Sequence, residues 1–155
     1  MTTPDPAPAP VAVPTSAPAP ADGRLTRVAA PEGVSPSPHY SHVVWGTGRF
    51  VAVSGQCALD EKGEVVGPGD AAAQARQVFE NLRRCLAAAG AGFADVVKLT
   101  YFVTDIGHLP ALRAARDEVI AADRLPASTA VQVGALFRPE LLLEVEAFAI
   151  VPEAR

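Results

Sequence analysis

Two carboxylates near the carboxyl end of the chain are the side chains best placed to do chemistry. Glu144 and Glu146 lie in the stretch from Leu141 to Ile150, where apolar residues recur at every second position. A period of two is typical of a β-strand, so both glutamates point to one face of a predicted sheet. A carboxylate among apolar neighbours is costly to bury, which favours either a functional site or a paired structural charge. A solvated pair on a half-exposed strand is the simpler alternative.

The second stretch with chemical potential is Ser54-Gly55-Gln56-Cys57, at the end of another predicted strand. A glycine in such a place either permits a β-bulge or lets a ligand approach the backbone. Cys57 could border that site, but no base lies near it in the sequence to make it a nucleophile. His39 and His42 are three residues apart without a third ligand, so no metal site is predicted.

The elements that must position these residues follow from the alternation of apolar and polar positions. The predicted elements are a hairpin of Tyr40 to Trp45 with Phe50 to Ser54, a helix from the cap Asp70 to Ala89, a strand from Val96 to Thr104, a helix from His108 to Ala122, and two closing strands within Leu125 to Val151. The order ββαβαββ predicts an α+β fold, with both helices on one face of one sheet. The other face still carries apolar residues, so we expect other subunits to bury it.

Apolar positions on the two predicted helices indicate which sides face the sheet. Cys85 falls in the apolar stripe of the first helix and is interpreted as a core thiol. On the second helix, Leu109, Leu112, Val119 and Ile120 are expected to face inward.

Composition limits the classes of function. A chain of 155 residues with 49% apolar residues can build one core but hardly two. A net charge of -4 gives no basic surface for nucleic acid or an anionic membrane, and no apolar run is long enough to span a bilayer. Cys57 and Cys85 lack any metal-binding or redox spacing, which favours a reducing, cytoplasmic setting.

A change in composition divides the chain. Residues 1–38 are rich in proline and alanine and are predicted to form a disordered tail and connector, followed by one domain over residues 39–155. The first basic residue is Arg24, so no secretory signal is predicted.

Several strings, in this order, resemble one known family. They are Tyr40-Ser41-His42, VSGQ, LDEKGEVVG, AAQARQVFENLRRCLAAAG, VVKLTYFVTD, LPAST and RPELLLEVEAFA. Together they resemble the Rid family, also called YjgF-like proteins, whose founding members are enamine and imine deaminases that remove reactive intermediates. The resemblance implies a chorismate mutase-like fold, a homotrimer with three clefts between subunits, a small-molecule substrate, and no metal or other cofactor.

The resemblance also implies roles for individual residues. Glu144 falls where the family's deaminases have the glutamate that positions the attacking water, and Tyr40, Ser54 and Gly55 fall at positions that line the cleft. Ser128 stands where those deaminases have an arginine that binds the substrate carboxylate. A serine offers no charged, bidentate donor pair.

Two arginines are candidates to replace the missing charge. Arg113 lies in the predicted second helix, where the family's deaminases often have a neutral polar residue near the cleft, and Arg138 lies in the turn before the last strand. Each is otherwise an ordinary solvated arginine. The substrate is therefore expected to lack the usual α-carboxylate, or to be held differently, by Arg113 or by polar groups such as Ser128 and Thr129.

The leading hypothesis is a Rid-like hydrolase that adds water to an imine, an enamine or a related small metabolite, with Glu144 as the base. The alternative is a trimer that binds a small molecule or stabilises a partner without turnover. Some members of the family have been described as ribonucleases, but the acidic net charge gives that activity no physical support.

Overall fold

Two helices cover one face of a four-stranded sheet in the computed structural model, which describes residues 25–153. The strands are β1 (Thr26–Val28), β2 (Val43–Trp45), β3 (Arg49–Cys57), β4 (Val96–Val103), β5 (Ala127–Gln132) and β6 (Leu143–Val151), and the helices are α1 (Ala71–Ala88) and α2 (Leu109–Asp117). The predicted α+β class and its order of helices and long strands are confirmed.

The four long strands have the order β3-β6-β4-β5. Strand β6 runs antiparallel to both of its neighbours, whereas β5 runs parallel to β4. The parallel pair needs a crossover connection, and α2 provides it. The two edges of the sheet are therefore β3 and β5, and β6 with its glutamates lies inside.

The predicted hairpin of Tyr40 to Trp45 with Phe50 to Ser54, which corresponds to β2 and β3, is wrong. Strand β2 pairs instead with β1, as a separate two-stranded ribbon, and β3 pairs along most of its length with β6. Gly48 shows why the chain turns away between them. It has a φ of 147°, and a β-carbon there would lie 2.2 Å from the carbonyl oxygen of Val151, so the backbone crosses the end of β6 at a distance that only glycine tolerates.

Helix α1 follows the prediction closely. The Asp70 carboxylate accepts hydrogen bonds from the backbone of Ala72 and Ala73, and Gly90 follows the helix with a φ of 67°. Phe79 and Gln74 are buried on its inward side. Cys85, which was predicted to be a core thiol, is only half-buried.

Helix α2 is shorter than predicted, because it ends at Asp117 rather than Ala122. Leu109, Leu112 and Ile120 are buried as expected, but Val119 is exposed. Val119 lies beyond the last regular turn, where helical periodicity no longer directs its side chain.

The two faces of the sheet differ as the alternation in β6 predicted. Leu143, Val145, Ala147 and Ala149 are fully buried beneath the helices. Glu144, Glu146, Phe148 and Ile150 lie half-buried on the uncovered face. There the Phe50 ring is 64% exposed and packs against Phe148 at 5.7 Å between centroids. The isolated chain thus carries an exposed apolar sheet face.

Strand pairing begins at Thr26, ahead of the boundary at His39 that the sequence predicts. That boundary stays a prediction, and the proline-rich stretch over residues 1–24 lies outside the described residues. Between residues 25 and 153, no helix has both the length and the apolar character needed to cross a membrane.

Candidate active site

Glu144 lies on the uncovered face of β6, directly between Cys57 of β3 and Phe102 of β4. The Cys57 thiol donates a hydrogen bond to its Oε2 at 3.5 Å. Burial, together with the charge and the hydrogen bond of Glu144, raises the pKa of Cys57 to about 12. The thiol therefore stays protonated at neutral pH and acts as a donor to the carboxylate rather than as a nucleophile.

Gly55 makes room for that carboxylate. The ladder between β3 and β6 shifts register between Val53 and Gln56, as in a β-bulge, and Gly55 lies within the shift. A β-carbon at Gly55 would come within 1.8 Å of Glu144 Oε1. A side chain at this position would displace the glutamate, so Gly55 is needed for close approach. We call Ser54, Gly55, Cys57 and Glu144 the acidic half-site.

An open cavity of about 380 Å³ lies beside the acidic half-site and is lined by Gly55, Cys57, Asn81, Cys85 and Phe137 among others. The Asn81 amide donates to the carbonyl oxygens of Cys57 at 3.1 Å and Leu59 at 2.9 Å. Helix α1 thereby fixes the end of β3 that carries the thiol.

A second group of candidate residues surrounds a small cavity of about 50 Å³ at the opposite edge of the sheet. Its lining includes Tyr40, Tyr101, Arg113, Arg116 and Ser128, which we call the basic half-site. Ser128 of β5 pairs with the buried Leu99 of β4, which places its side chain on the side of the helices.

Two anchors hold the chain around this cavity. The Ser41 hydroxyl donates to the Leu125 carbonyl oxygen at 2.7 Å, which ties the segment bearing Tyr40 to the start of β5. The guanidinium of Arg116, only 2% exposed, donates to the His39 carbonyl oxygen at 2.5 Å and pairs with Asp117 at 2.6 Å. Arg116 is therefore a buried structural residue that holds the segment at His39 against α2.

Two groups in the basic half-site are held less firmly. The Tyr101 hydroxyl is buried and donates no hydrogen bond to a described residue. Burial raises the pKa of Tyr101 to about 12, although the charge and hydrogen-bonding contact of Arg116, and the charge of Arg113, oppose that shift. Arg113 is half-buried and belongs to none of the ion pairs between described residues.

The structure separates the other candidates from both half-sites. Thr129 follows Ser128 but faces the uncovered side of the sheet, where Lys98 Nζ donates to its hydroxyl at 2.5 Å. Arg138 donates to the Gly63 carbonyl oxygen at 2.8 Å and lies over the Phe137 ring. Glu146 lies opposite Thr100, two residues along β6 from Glu144, so it is not the glutamate that pairs with Cys57.

The two half-sites do not meet within one chain. The acidic half-site belongs to the edge strand β3 and its neighbour β6, on the uncovered face. The basic half-site belongs to the other edge strand, β5, on the side of the helices. Glu144 therefore comes together with Gly55 and Cys57, and Ser128 comes together with Tyr40 and Arg113.

Sequence reasoning missed several residues that support these groups. Gln74 is fully buried; its amide nitrogen donates to the Glu140 carbonyl oxygen at 2.8 Å, and its amide oxygen accepts from the Leu142 backbone at 2.9 Å, which fixes the approach to β6. A glutamine within an apolar helix stripe was the available signal. Tyr101 and Arg116 gave weaker signals, because each fits an ordinary strand or helix pattern.

Within residues 25–153, no cluster of three His, Cys, Asp or Glu side chains is arranged to hold a metal ion.

Comparison with known protein families matches residues 31–151 to the family described as Endoribonuclease L-PSP. The 3-aminoacrylate deaminase RutC of Acinetobacter baylyi is 38% identical over 123 residues, which cover 79% of this chain and 95% of that protein. The 2-iminobutanoate/2-iminopropanoate deaminase of Escherichia coli is 35% identical over 106 residues, which cover 66% and 80%.

A solved structure of YyfB from Yersinia pestis, described as a member of the conserved Rid protein family, superposes with a TM-score of 0.71 at 38% identity. The match covers 81% of this chain and 98% of that one. Sequence and structure comparisons therefore agree over nearly the whole described domain.

Proposed function

Because the chain belongs to the Rid (YjgF-like) family, whose family description is Endoribonuclease L-PSP, we propose that it hydrolyses the C=N bond of a reactive imine or enamine. The observation that carries the proposal is the Glu144 carboxylate, held by the Cys57 thiol and lying close over Gly55. The two relatives with deaminase names support the same class of reaction.

The proposed reaction needs little from the protein. An imine carbon is already electrophilic, so the site has only to orient a water molecule and accept its proton. Glu144 takes that proton as the water oxygen bonds to the carbon. The electron pair of the C=N bond moves to the nitrogen, to which Glu144 returns the proton, and a tetrahedral carbinolamine forms. Transfer of the hydroxyl proton to the nitrogen then breaks the C–N bond, which releases ammonia and leaves a ketone or aldehyde. An enamine first takes a proton at carbon to become the imine.

We propose that two subunits of a homotrimer share each site. The half-sites lie at opposite edges of the sheet, so the β3 edge of one subunit must meet the β5 edge of another to form one cleft. The exposed apolar face around Phe50 and Phe148 supports association, since a monomer gains by burying such a patch. Ser54 and Thr129, which are both exposed in the single chain, stay candidate contacts at that interface.

The proposed substrate is small and differs from a usual 2-imino acid in how it is held. Ser128 lacks the charge of the arginine that it replaces, and the nearby charged groups come from α2 instead. The acidic net charge of -4 favours a small metabolite over RNA, because phosphate contacts require basic surface. Both cysteines are free, which fits the cytoplasmic location that we propose.

An imine-trapping assay tests the proposal. Iminopropanoate and iminobutanoate would be generated in situ by an amino-acid oxidase or dehydratase, trapped with semicarbazide, and followed with wild type, Glu144→Gln and Ser128→Arg. We expect wild type to compete with the trap and Glu144→Gln to lose about 10²-fold or more of that activity while staying folded.

The other outcomes separate the alternatives. Activity in Ser128→Arg alone would mean that the scaffold is competent and that the native substrate is neither of these imines. Silence in all three proteins, together with a ligand-dependent rise in melting temperature, would favour a binding trimer without turnover.

A further inference from the structure

We propose that an apolar groove on the helix side of the protein is the docking site of residues 17–21 (APAPA) of the same chain. The groove lies apart from both half-sites, so the inference does not depend on imine hydrolysis. It gives the exposed side chain of Val119 a partner, and that partner comes from the proline-rich stretch outside the described residues.

Two neighbouring cavities form this groove, and Val119 belongs to the lining of both. The first, of about 270 Å³, is lined by Phe93 and by the segment that follows α2, including Arg124. The second, of about 200 Å³, is lined by residues of α1 and α2, including Phe79. The Phe79 and Phe93 rings are 6.0 Å apart between centroids, so contacting aromatic rings join the two cavities. We call the two cavities together the helix groove.

The helix groove carries apolar surface that the described residues leave open. Val119 is 40% exposed, although the sequence pattern predicted that it faces inward. The proposed contacts between subunits use the uncovered face of the sheet and its edges at β3 and β5. The helix groove lies on the other side, so the proposed trimer leaves it free for another occupant.

The chain enters the described domain beside this groove. Arg27 of β1 donates to the carbonyl oxygen of Ala94 at 3.0 Å, and Ala94 lines the first cavity. Residues 17–21 end four positions before Leu25. A polyproline II chain advances about 3.1 Å per residue, so the segment extends from about 12 to about 25 Å from Leu25 and can cross two neighbouring cavities. Residues 6–10 have a similar composition, but they lie at least fifteen positions from Leu25 and would close a longer loop.

The composition of the segment suits a narrow apolar groove. Proline has no backbone N–H and alanine carries only a methyl group, so the segment is slim and keeps its carbonyl oxygens as acceptors. Proline-rich segments dock in aromatic-lined grooves because their extended conformation is already formed. The guanidinium of Arg124 is exposed and belongs to none of the ion pairs between described residues, so it can donate to those carbonyl oxygens.

The charges at the entry to the groove favour the same occupant. Burial and the neighbouring charge of Arg124 lower the pKa of Arg27, although the charges of Asp123 and Asp95 oppose that shift. A further carboxylate beside these two arginines would stabilise their charged forms. Asp22 directly follows the segment and supplies such a carboxylate when residues 17–21 lie in the groove.

Nuclear magnetic resonance on the full-length protein tests the docking directly. We expect order parameters near about 0.85 for the amides of Ala19 and Ala21, and nuclear Overhauser effects between the methyl groups of Ala19 and Val119. Val119→Asp places a charge at an exposed position, so the fold should persist while these contacts vanish and the order parameters fall below about 0.6. The matched control is Ile106→Asp, because Ile106 is 51% exposed and lines neither cavity.

A second variant changes only the segment. Pro18→Gly/Pro20→Gly should also lower the order parameters, because glycine increases the conformational entropy that docking must overcome. Order parameters below about 0.6 in wild type, or wild-type values in Val119→Asp, would overturn the proposal. Val119 methyl signals that shift with protein concentration, without a contact to Ala19, would also overturn it, because a second copy of the protein would then occupy the groove.

Discussion

The acidic and basic half-sites differ in how completely their polar groups are paired. Glu144 has a thiol donor, and an asparagine of α1 fixes the strand that carries that thiol. In the basic half-site Arg116 is engaged by Asp117 and the His39 carbonyl oxygen, whereas the Tyr101 hydroxyl donates to no described residue and Arg113 belongs to none of the ion pairs between described residues. A group that orients water must be fixed beforehand, whereas groups that bind a ligand keep their hydrogen-bonding capacity for it. The contrast supports the proposed division, in which Glu144 orients water and the basic half-site contacts the substrate.

The largest expected effect on stability comes from removing Arg116, the buried residue that supports the basic half-site. Arg116→Leu leaves the His39 carbonyl oxygen without its donor and the cavity without a wall. We expect the free energy of unfolding to fall by about 2–4 kcal/mol, measured by urea denaturation at fixed protein concentration. Arg84→Leu is the control, because its solvent-exposed pair with Glu80 should contribute little to stability. Equal losses in the two variants would contradict the role of Arg116.

Gly55→Ala breaks the acidic half-site instead. The new methyl group would lie 1.8 Å from Glu144 Oε1, so the carboxylate must move. We expect a stability loss of about 1–3 kcal/mol and a larger fractional loss of imine hydrolysis. Gly134→Ala is the matched control, since nothing lies within 4 Å of a β-carbon there. Unchanged activity in Gly55→Ala would show that the position of Glu144 is not critical.

Two separate variants, one without the Cys57 thiol and one without the Tyr101 hydroxyl, test the difference between the half-sites. Cys57→Ala deprives Glu144 of its donor and should destabilise the protein by about 1 kcal/mol, whereas Tyr101→Phe removes a hydroxyl that donates to no described residue and should be neutral or stabilising. The reverse order of stabilities in urea denaturation would contradict the contrast between the half-sites.

Alkaline pH gives a second measure of the same two groups. Both pKa values are raised to about 12 in the folded protein, so the unfolded chain loses these protons at lower pH. Each group therefore makes stability fall as pH rises from about 9 towards 12. We expect each single variant to reduce the slope of stability against pH in that window. An unchanged slope in both variants would contradict the raised pKa values.

The smallest effect on activity is expected where neither half-site is involved. Asp70→Ala removes the cap of α1 and should cost about 1 kcal/mol, whereas Asp70→Asn should retain most of the stability. Both variants should keep imine hydrolysis, which an activity assay at fixed folded fraction would check. A specific loss of hydrolysis would mean that α1 couples to the site.

Local patterns predicted what local forces determine. The alternation in β6 correctly placed Glu144 and Glu146 on one face, and the Asp70 cap correctly marked the start of α1. The predicted hairpin was wrong because pairing between distant strands depends on the burial that β6 offers to β3, and no short window of sequence contains that information.

Most candidate residues could be identified from the sequence, but the sequence did not indicate which of them lie together. Ser128 and Thr129 are adjacent in sequence, yet strand geometry sends them to opposite faces of the sheet. Tyr101 and Arg116 belong to regular elements, and only the packing of α2 against β4 and β5 brings them to one cavity. Convergence of this kind is a property of tertiary structure rather than of spacing along the chain.

The central claim is that each site combines the acidic half-site of one subunit with the basic half-site of another. Glu144→Gln and Arg113→Ala chains carrying different affinity tags would be co-expressed, and mixed oligomers purified through both tags. Any mixed arrangement in the proposed trimer contains one site with both residues intact, so we predict about one third of wild-type imine hydrolysis, although each variant alone is inactive or severely impaired. Mixed oligomers no more active than the two parents would show that both residues act from the same chain.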